Sequence, residues 1–438
     1  MLLAGFLFYG WWKWQYLGLL FFSTLLDFFI AKKIAETQNL KHRKLFLWCS
    51  VIGNLSVLIG FKYIGFFSLS IPDLANFIEA HPNLDGAITF LSEALPVGIS
   101  FYTFQTMSYT IDVYRKKISP EKNIGYFALF VSYFPQLVAG PIERFSELQP
   151  QLKKHIALKY DDFQTGFRFL LWGFFIKMCI ADNLGTWVDT IYLNPVRWHP
   201  TVIWFAIMGF AIQIYTDFHG YTLIAKGVAR LFGVNLMDNF NKPYAAQTID
   251  DFWKRWHISL TSWFRDYLYI PLGGNKLQNP AWIANILLVF LISGLWHGAN
   301  YTFIAWGLLH GIFYLIEKKF QKNQTPKPHF AIMASVGVFF LVSIAWVFFR
   351  STDFNTAFAM LNNAFFILPG KDFLEVQWVI LILVVLFMIV DHLIIKTTLN
   401  DALKILSWPK RWVFYSLLIF ALINYSGATA HPFIYFRF

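Results

Sequence analysis

Long apolar runs separated by short charged segments recur along the whole chain, and this pattern predicts an all-α integral membrane protein. A helix needs about 20 apolar residues to cross the hydrocarbon core of a bilayer. Counting runs near or above that length predicts about 11 transmembrane helices. The runs are residues 2–12 with 15–31, 46–70, 88–112, 163–185, 201–217, 281–296, 301–316, 331–349, 376–396 and 412–426. Because no soluble domain of ordinary size fits between them, residues 1–438 are predicted to form a single polytopic membrane domain.

Two shorter apolar stretches have basic residues on both flanks, which predicts re-entrant elements rather than crossings. They are residues 126–139 and 256–272. Backbone that dips into a membrane without crossing it is tolerated only where it is buried in protein or lines a wet cavity. Two such elements therefore predict a polar chamber. The runs 281–296 and 301–316 are predicted to form a hairpin with His297 at its bend.

Composition and charge agree with a membrane environment. The chain is 57% hydrophobic and 20% aromatic, and its formal net charge is +11. The basic residues form short clusters beside apolar runs, as in cytoplasmic loops, so nucleic-acid binding is not predicted. One cluster predicted to be cytoplasmic contains Lys32, Lys33, Lys41, Arg43 and Lys44, and the next loop, with Asp73, Glu79 and Asp85, is predicted to face outward.

Metal and thiol chemistry have no supporting pattern. The 11 histidines include no His-x-x-His or His-x-x-x-His pair, so no metal centre is predicted. Cys49 and Cys179 both lie in apolar stretches without a Cys or His partner at ligand spacing. We therefore expect two buried structural thiols.

His297 is the main candidate for chemistry. It lies in Gly294-Leu295-Trp296-His297-Gly298, where the flanking glycines are expected to allow close backbone approach and to leave the imidazole accessible. Imidazole titrates near neutral pH, so it can take a proton from a hydroxyl that attacks a thioester carbonyl. A hydrogen-bonded structural imidazole is the alternative. His310 lies thirteen positions further on, and helical periodicity points it away, which favours a structural role.

A second candidate segment interleaves charges and aromatic rings within the predicted re-entrant element. Trp256 and His257 follow Arg255, and Arg265 is followed by Asp266. The two arginines suit a phosphorylated donor such as coenzyme A, because guanidinium binds phosphate bidentately. Interfacial anchoring with an Arg265–Asp266 ion pair is the alternative.

Several blocks resemble the membrane-bound O-acyltransferase family, in particular its bacterial alginate O-acetyltransferase-like branch. The matching stretches cover nearly the whole chain: residues 6–12, 96–114 (PVGISFYTFQTMSYTIDVY), 134–150 (FPQLVAGPIERFSELQP), 173–184 (GFFIKMCIADNL), 252–274, 294–311 (GLWHGANYTFIAWGLLHG) and 433–438 (FIYFRF). The resemblance implies a ring of membrane helices around a central tunnel, in the bacterial inner membrane. The resemblance implies that the acyl donor enters this tunnel from the cytoplasm and that the acyl acceptor enters it from outside.

The resemblance also implies residue roles and partners. His297 in GLWHG resembles the family's catalytic histidine, and His257 in RWHIS its second conserved polar residue. The predicted donor and tunnel-binding residues are Arg255, Trp256, Arg265, Asp266, Trp296 and Asn300. Members of this branch usually use acetyl-coenzyme A as the acyl donor, with no bound cofactor. They work with a periplasmic SGNH-type acetyltransferase partner or a polysaccharide acceptor.

The chain departs from the branch at a few positions. Where the branch commonly reads DFSGYSDIA, this chain has His219 in place of a serine and Leu223 in place of an acidic residue. Arg437 replaces a common glutamine. Two other functions stay open at this point: D-alanyl transfer to teichoic acid from a carrier protein, and transport of an acyl carrier or glycan without chemistry.

Overall fold

The computed structural model describes most of the chain. The described residues are 1–64, 66, 80–81, 96–138, 140–154, 159–320, 330–366, 370–373, 378–393, 399–427 and 433–434. The predicted outward loop with Asp73, Glu79 and Asp85, the first part of the predicted 88–112 crossing, and Arg437 lie outside them. Within them the chain forms helices, turns and one isolated β-bridge, between Trp198 and Asp372. The prediction of an all-helical protein is confirmed.

The helices belong to two compact units. The first comprises Met1–Asp162 and Val228–Met237, and the second comprises Phe163–Gly227 and Asp238–Phe438. The single domain expected from the sequence stays a prediction.

In the first unit, seven helices lie in the described residues. They are α1 Leu2–Trp12, α2 Leu17–Glu36, α3 Leu40–Lys62, α4 Ile99–Tyr114, α5 Ile124–Ser132, α6 Phe134–Leu137 and α7 Phe145–Lys153. Helix α4 is buried almost all round.

A buried carboxylate joins α2, α3 and α4. Asp27 of α2 is fully buried. It accepts a hydrogen bond from the Ser50 hydroxyl, one of 2.8 Å from Asn54 Nδ2 and one of 3.0 Å from Thr110 Oγ1. A buried charge is tolerated only when its lone pairs are satisfied. These donors therefore fix the register of three helices around one side chain.

A second carboxylate organises the loop between α4 and α5. Glu121 Oε2 lies 2.6 Å from Lys153 Nζ, and its Oε1 accepts bonds of 2.9 and 3.0 Å from the backbone N–H groups of Lys122 and Asn123. Burial favours the neutral carboxyl, but Lys153 and the two N–H groups outweigh it, so the pKa of Glu121 is lowered below its ordinary value. The loop is thus held by the ionised form.

The stability of the protein is expected to fall on acidification because of Glu121. A carboxyl with a lowered folded-state pKa stabilises the fold fully above its unfolded value of about 4.3. That stabilisation is lost as pH falls through the lowered folded value. Glu121→Gln should remove this part of the acid dependence of the melting temperature, measured in detergent between pH 7 and the acid limit of the fold. Glu147→Gln, at an exposed carboxylate of α7, is the control; equal acid dependence in the two variants would contradict the assignment.

In the second unit, the described residues form eleven helices. They are α8 Tyr160–Leu193, which begins in the first unit, α9 Pro200–Leu231, which ends in it, α10 Ile249–Arg255, α11 Ile258–Phe264, α12 Ala281–His297, α13 Tyr301–Phe320, α14 Ala331–Arg350, α15 Phe354–Ala364, α16 Trp378–Leu393, α17 Leu399–Ile405 and α18 Trp408–Tyr425. Helix α8 contains a π-helical turn at Phe175–Ala181.

Four of the described helices are long and apolar enough to cross a membrane: α3, α8, α9 and α14. Three shorter apolar helices are Leu2–Trp12, Ala281–His297 and Trp378–Asp391. Several apolar helices of membrane-spanning length are therefore confirmed, whereas the count of about 11 crossings stays a prediction. The predicted hairpin is present as α12 and α13.

Both predicted re-entrant stretches are broken into short helices. Residues 126–138 fall in α5 and α6, which are separated at Tyr133, and Ala139 lies outside the described residues. Residues 256–272 contain α11 and a π-helical turn at Arg265–Tyr269. At 1.5 Å per residue, helices this short do not reach across a core of about 30 Å.

The expectation of two buried thiols is wrong for one of them. Cys179 is buried, but Cys49 is exposed on α3. An apolar run in a membrane helix predicts contact with lipid as readily as contact with protein, because both are apolar. Sequence alone does not separate the two faces of such a helix.

Candidate active site

The α12–α13 hairpin places His297, the last residue of α12, at its bend. The two helices approach closely because glycines lie at their contact. A Cβ on Gly294 would meet the carbonyl oxygen of Phe303, and one on Gly307 would meet that of Phe290. The role predicted for Gly294, close backbone approach, is thereby confirmed.

The imidazole of His297 is surrounded by aromatic rings. Its centroid lies 4.9 Å from that of Trp296, 4.9 Å from that of Trp306 and 5.3 Å from that of Phe349. The residue is only 3% exposed. The expectation that the flanking glycines leave the ring accessible is therefore wrong, because the space at Gly298 is taken by the Phe303 ring.

His257 is held by a strained backbone and a small polar network. It precedes α11 with a φ of 42°, in the left-handed region that most side chains avoid. Its Nδ1 lies 3.3 Å from Asn239 Oδ1, which also accepts a bond of 2.6 Å from Ser259 Oγ. The Phe218 ring contacts it edge to face at 4.7 Å. Backbone strain of this kind concentrates at functional sites, where the surrounding structure fixes it.

Trp296 joins the two histidines. The centroid of its indole lies 5.9 Å from that of His257 and 4.9 Å from that of His297. Both imidazoles are buried, at 1% and 3% exposure. Forty residues separate them in the chain, and the fold of the second unit brings both against one ring. The structure thus brings together the two motifs singled out in the sequence.

The other predicted site residues have different partners. Arg255 Nε pairs with Asp251 Oδ1 at 2.8 Å, and Arg265 Nε pairs with Asp266 Oδ1 at 2.8 Å on an exposed surface. The second pair is the one that the anchoring alternative anticipated. Their binding roles stay predictions.

Trp256 and Asn300 serve the fold locally. Trp256 is fully buried and contacts the Phe252 ring at 5.6 Å and the Trp346 ring at 5.0 Å. Asn300 accepts a hydrogen bond from Thr302 N at the start of α13 and donates one of 2.6 Å to Thr352 O. A role for either in donor binding stays a prediction.

An ion cluster next to the site was missed at the sequence level. Lys177, in the π turn of α8, pairs with Asp182 at 2.6 Å and with Asp217 of α9. Asp217 also accepts a bond of 2.8 Å from Ile434 N, near the end of the chain. Charges inside predicted crossings are functional or structural signals by default, and this one was available in the sequence. Asp217 precedes Phe218, the residue that touches His257.

Ring contacts continue the same connection. Phe433 lies 5.2 Å from Phe218 and 4.6 Å from Tyr221, between ring centroids. Phe433 and the Lys177–Asp182–Asp217 ion cluster therefore flank Phe218, the ring that contacts His257. Among the described residues, no group of three or more His, Cys, Asp or Glu side chains is placed to hold a metal ion.

Gly294→Ala is expected to destabilise the hairpin by about 1–3 kcal/mol, the usual cost of overpacking. The added methyl would meet backbone, which cannot rotate away as a side chain can. Gly337→Ala in α14 is the matched control, because the added methyl meets no described atom within 4 Å apart from its chain neighbours and its own helix backbone. It should hold or raise the melting temperature, since alanine favours helix. Equal melting temperatures for both variants in detergent would contradict the tight crossing.

Two buried imidazoles that share one indole define this chain as a helical protein with a candidate site for acid–base chemistry among its apolar helices. Comparison with known proteins gives the particular family. Residues 115–352 match the model of the membrane-bound O-acyltransferase family (MBOAT), and the chain belongs to this family.

Curated relatives agree with this membership. The chain is 38% identical to a peptidoglycan O-acetyltransferase of Helicobacter pylori, over 83% of this chain and 72% of the relative. It is also 38% identical to a probable alginate O-acetylase, AlgI, of Azotobacter vinelandii, with the same two shares. A teichoic acid D-alanyltransferase of Bacillus subtilis is more distant, with 29% identity over 52% of this chain and 60% of the relative.

Proposed function

We propose that this protein is an O-acyltransferase that moves an acetyl group from a cytoplasmic thioester donor, acetyl-coenzyme A, to a cell-envelope polysaccharide. The acetyl group goes either directly to the glycan or through a periplasmic SGNH-type acetyltransferase. The site of action is the bacterial inner membrane. Family membership and the names of the two 38% identical relatives support the reaction class. The observation that carries the proposal is the meeting of His257 and His297 on Trp296.

His297 acts as the general base in this proposal. It takes the proton of the acceptor hydroxyl as the oxygen attacks the thioester carbonyl carbon, so a C–O bond forms. The C–S bond then breaks, and the imidazolium returns the proton to the departing thiolate. No covalent enzyme intermediate is needed. The aromatic enclosure of His297 supports transfer to a hydroxyl rather than to bulk water, because exclusion of water suppresses hydrolysis.

His257 completes the site as the second polar residue. Asn239 and Ser259 restrict its ring, and Trp296 is the surface it shares with His297. Such fixed positioning is what an efficient transfer site requires. On the donor side, Arg255 and Arg265 are proposed to meet the phosphates of coenzyme A, at the expense of their present ion pairs with Asp251 and Asp266.

D-alanyl transfer from a carrier protein is the second candidate. The similarity to the Bacillus subtilis teichoic acid D-alanyltransferase supports it, although that relative is less similar than the two O-acetylation proteins. The two functions differ in the donor, since a carrier protein needs a docking surface and coenzyme A needs a basic entrance.

The test uses the full chain purified in detergent. It is incubated with acetyl-coenzyme A or with a D-alanyl-loaded carrier protein, and release of free thiol is measured with and without a polysaccharide acceptor. Acceptor-dependent thiol release from acetyl-coenzyme A is expected. Release only from the carrier protein would favour the second candidate. Movement of intact substrate into proteoliposomes, with no thioester cleaved, would overturn both.

A further inference from the structure

Three aromatic rings next to the candidate site contact one another. The centroid of His310, on α13, lies 4.8 Å from that of Trp253 of α10 and 5.0 Å from that of Trp306. The two indoles are 5.8 Å apart. His310 and Trp306 are both fully buried. We call these three side chains the Trp253–Trp306–His310 cluster.

The polar atoms of this cluster lack hydrogen-bond partners in the described part of the chain. They are Trp253 Nε1, Trp306 Nε1 and both ring nitrogens of His310, and each is shielded from solvent. Buried polar groups in proteins are nearly always hydrogen-bonded, and each exception calls for an explanation. A ring face can accept weakly from an N–H group, but it offers nothing to the lone pair of a neutral imidazole. Phenylalanine would suit purely structural packing better at position 310.

The cluster lies beside His297. Trp306 contacts the imidazoles of both His297 and His310, at 4.9 and 5.0 Å. Helical periodicity over residues 297–310 predicted that the two histidines point apart, but the chain reverses direction between α12 and α13. The periodicity argument therefore does not apply across this bend.

The cluster also lies between His297 and the charged end of α13. Lys318 Nζ pairs with Asp250 of α10 at 2.9 Å, and Glu317 accepts hydrogen bonds from the backbone N–H groups of Ile249 and Asp250. These contacts hold α10, and hence Trp253, against α13. Basic flanks mark this end as cytoplasmic, the side from which a thioester donor arrives.

We propose that the Trp253–Trp306–His310 cluster binds a secondary amide in the arm of the acyl donor and so positions the thioester at His297. Two indoles and one neutral imidazole offer three N–H donors and one acceptor. An amide satisfies the acceptor and two of the three donors, because its N–H donates one bond and its carbonyl oxygen accepts two. The full burial of His310 and Trp306 excludes a bulky glycan. The inference rests on the proposed function and adds these residues to it.

The decisive variant is His310→Phe, which keeps an aromatic ring and removes both unpartnered nitrogens. The melting temperature is expected to stay level or rise, because buried polar atoms without partners destabilise a fold. The KM for acetyl-coenzyme A should rise about tenfold with kcat little changed, as for loss of binding contacts. His310→Gln, which retains a donor and an acceptor, should recover part of the loss. Tyr192→Phe removes another buried hydroxyl without a described partner, away from the cluster, and should change neither constant.

Binding of coenzyme A itself separates this inference from the proposed function. The Kd for coenzyme A should be about tenfold higher in His310→Phe than in the wild type, whether or not acetyl transfer is observed. Unchanged KM and Kd in a folded His310→Phe protein would overturn the inference and leave the proposed function standing. Failure of that variant to fold would also contradict it, by showing that the imidazole is needed structurally. A rise in KM confined to the polysaccharide acceptor would assign the cluster to the acceptor instead. A wild type that binds coenzyme A but cleaves no thioester would overturn only the proposed function.

Discussion

Replacing His297 with alanine is expected to lower thiol release from acetyl-coenzyme A by about 100- to 10,000-fold, the range that general-base catalysis contributes. The proton of the attacking hydroxyl would then have no acceptor placed at the thioester. In cells, the same variant should lose the O-acetyl ester on the envelope polysaccharide. Membrane insertion should be unaffected, because His297 lies at a helix end and its loss breaks no turn of α12.

His297→Gln separates the loss of the base from the loss of packing. Glutamine fills more of the space between Trp296, Trp306 and Phe349 than alanine does, yet it takes up no proton near neutral pH. Both variants should therefore be inactive, with Gln the more stable of the two. His42→Ala, at an exposed position of α3, is the control for histidine loss and should remain fully active. Activity of His297→Gln within a few-fold of the wild type would exclude His297 as the base.

The two candidate histidines could be singled out from the sequence because each stands out locally. An ionisable side chain inside or beside an apolar run is costly, so His257 and His297 were singled out without reference to the fold. Their distance could not be predicted in the same way, since it depends on how α11 and α12 cross. The shared contact with Trp296 is a property of tertiary structure alone.

The burial of His297 shows the limit of reasoning from glycine. Glycine next to a residue permits close approach, but the sequence does not say what approaches. In the structure, Phe303 of the same hairpin packs against both Gly294 and Gly298. The glycines therefore allow closer packing around His297 and do not expose its ring. For Arg255, in contrast, the local sequence does predict the contact. Its ion pair with Asp251 is an i,i+4 contact on α10, which helical spacing alone predicts.

Single charges within apolar runs were the signal that sequence reasoning left unused. Asp27 and Asp217 each lie in a predicted crossing. In the structure, each carboxylate is hydrogen-bonded or ion-paired to side chains of other helices. Those partners, among them Thr110 and Lys177, are distant in sequence. A hydropathy average over a short stretch of sequence therefore detects the charged residue but not the distant residues that pair with it.

Lys177→Met is expected to lower the free energy of unfolding by about 3–5 kcal/mol, the usual cost of removing one member of a buried ion pair. The ammonium lies between Asp182 and Asp217, so its loss leaves two buried carboxylates facing each other. Asp217 also holds Ile434 N, and the next residue, Phe218, supports His257. Activity should consequently fall even in the fraction of protein that remains folded.

A double-variant cycle tests whether this cost arises from the charges. Adding Asp217→Asn to Lys177→Met removes one of the two facing carboxylates and keeps an acceptor for Ile434 N, so the double variant should be more stable than Lys177→Met alone. Arg197→Met breaks the exposed Arg197–Asp372 pair and should cost about 1 kcal/mol or less, because solvent screens both partners. Thermal unfolding in detergent is measured for the wild type, Lys177→Met, Asp217→Asn, the double variant and Arg197→Met. If the second substitution deepened the loss caused by the first, or if Arg197→Met were as destabilising as Lys177→Met, the buried charges would not be what holds α8, α9 and Ile434 together.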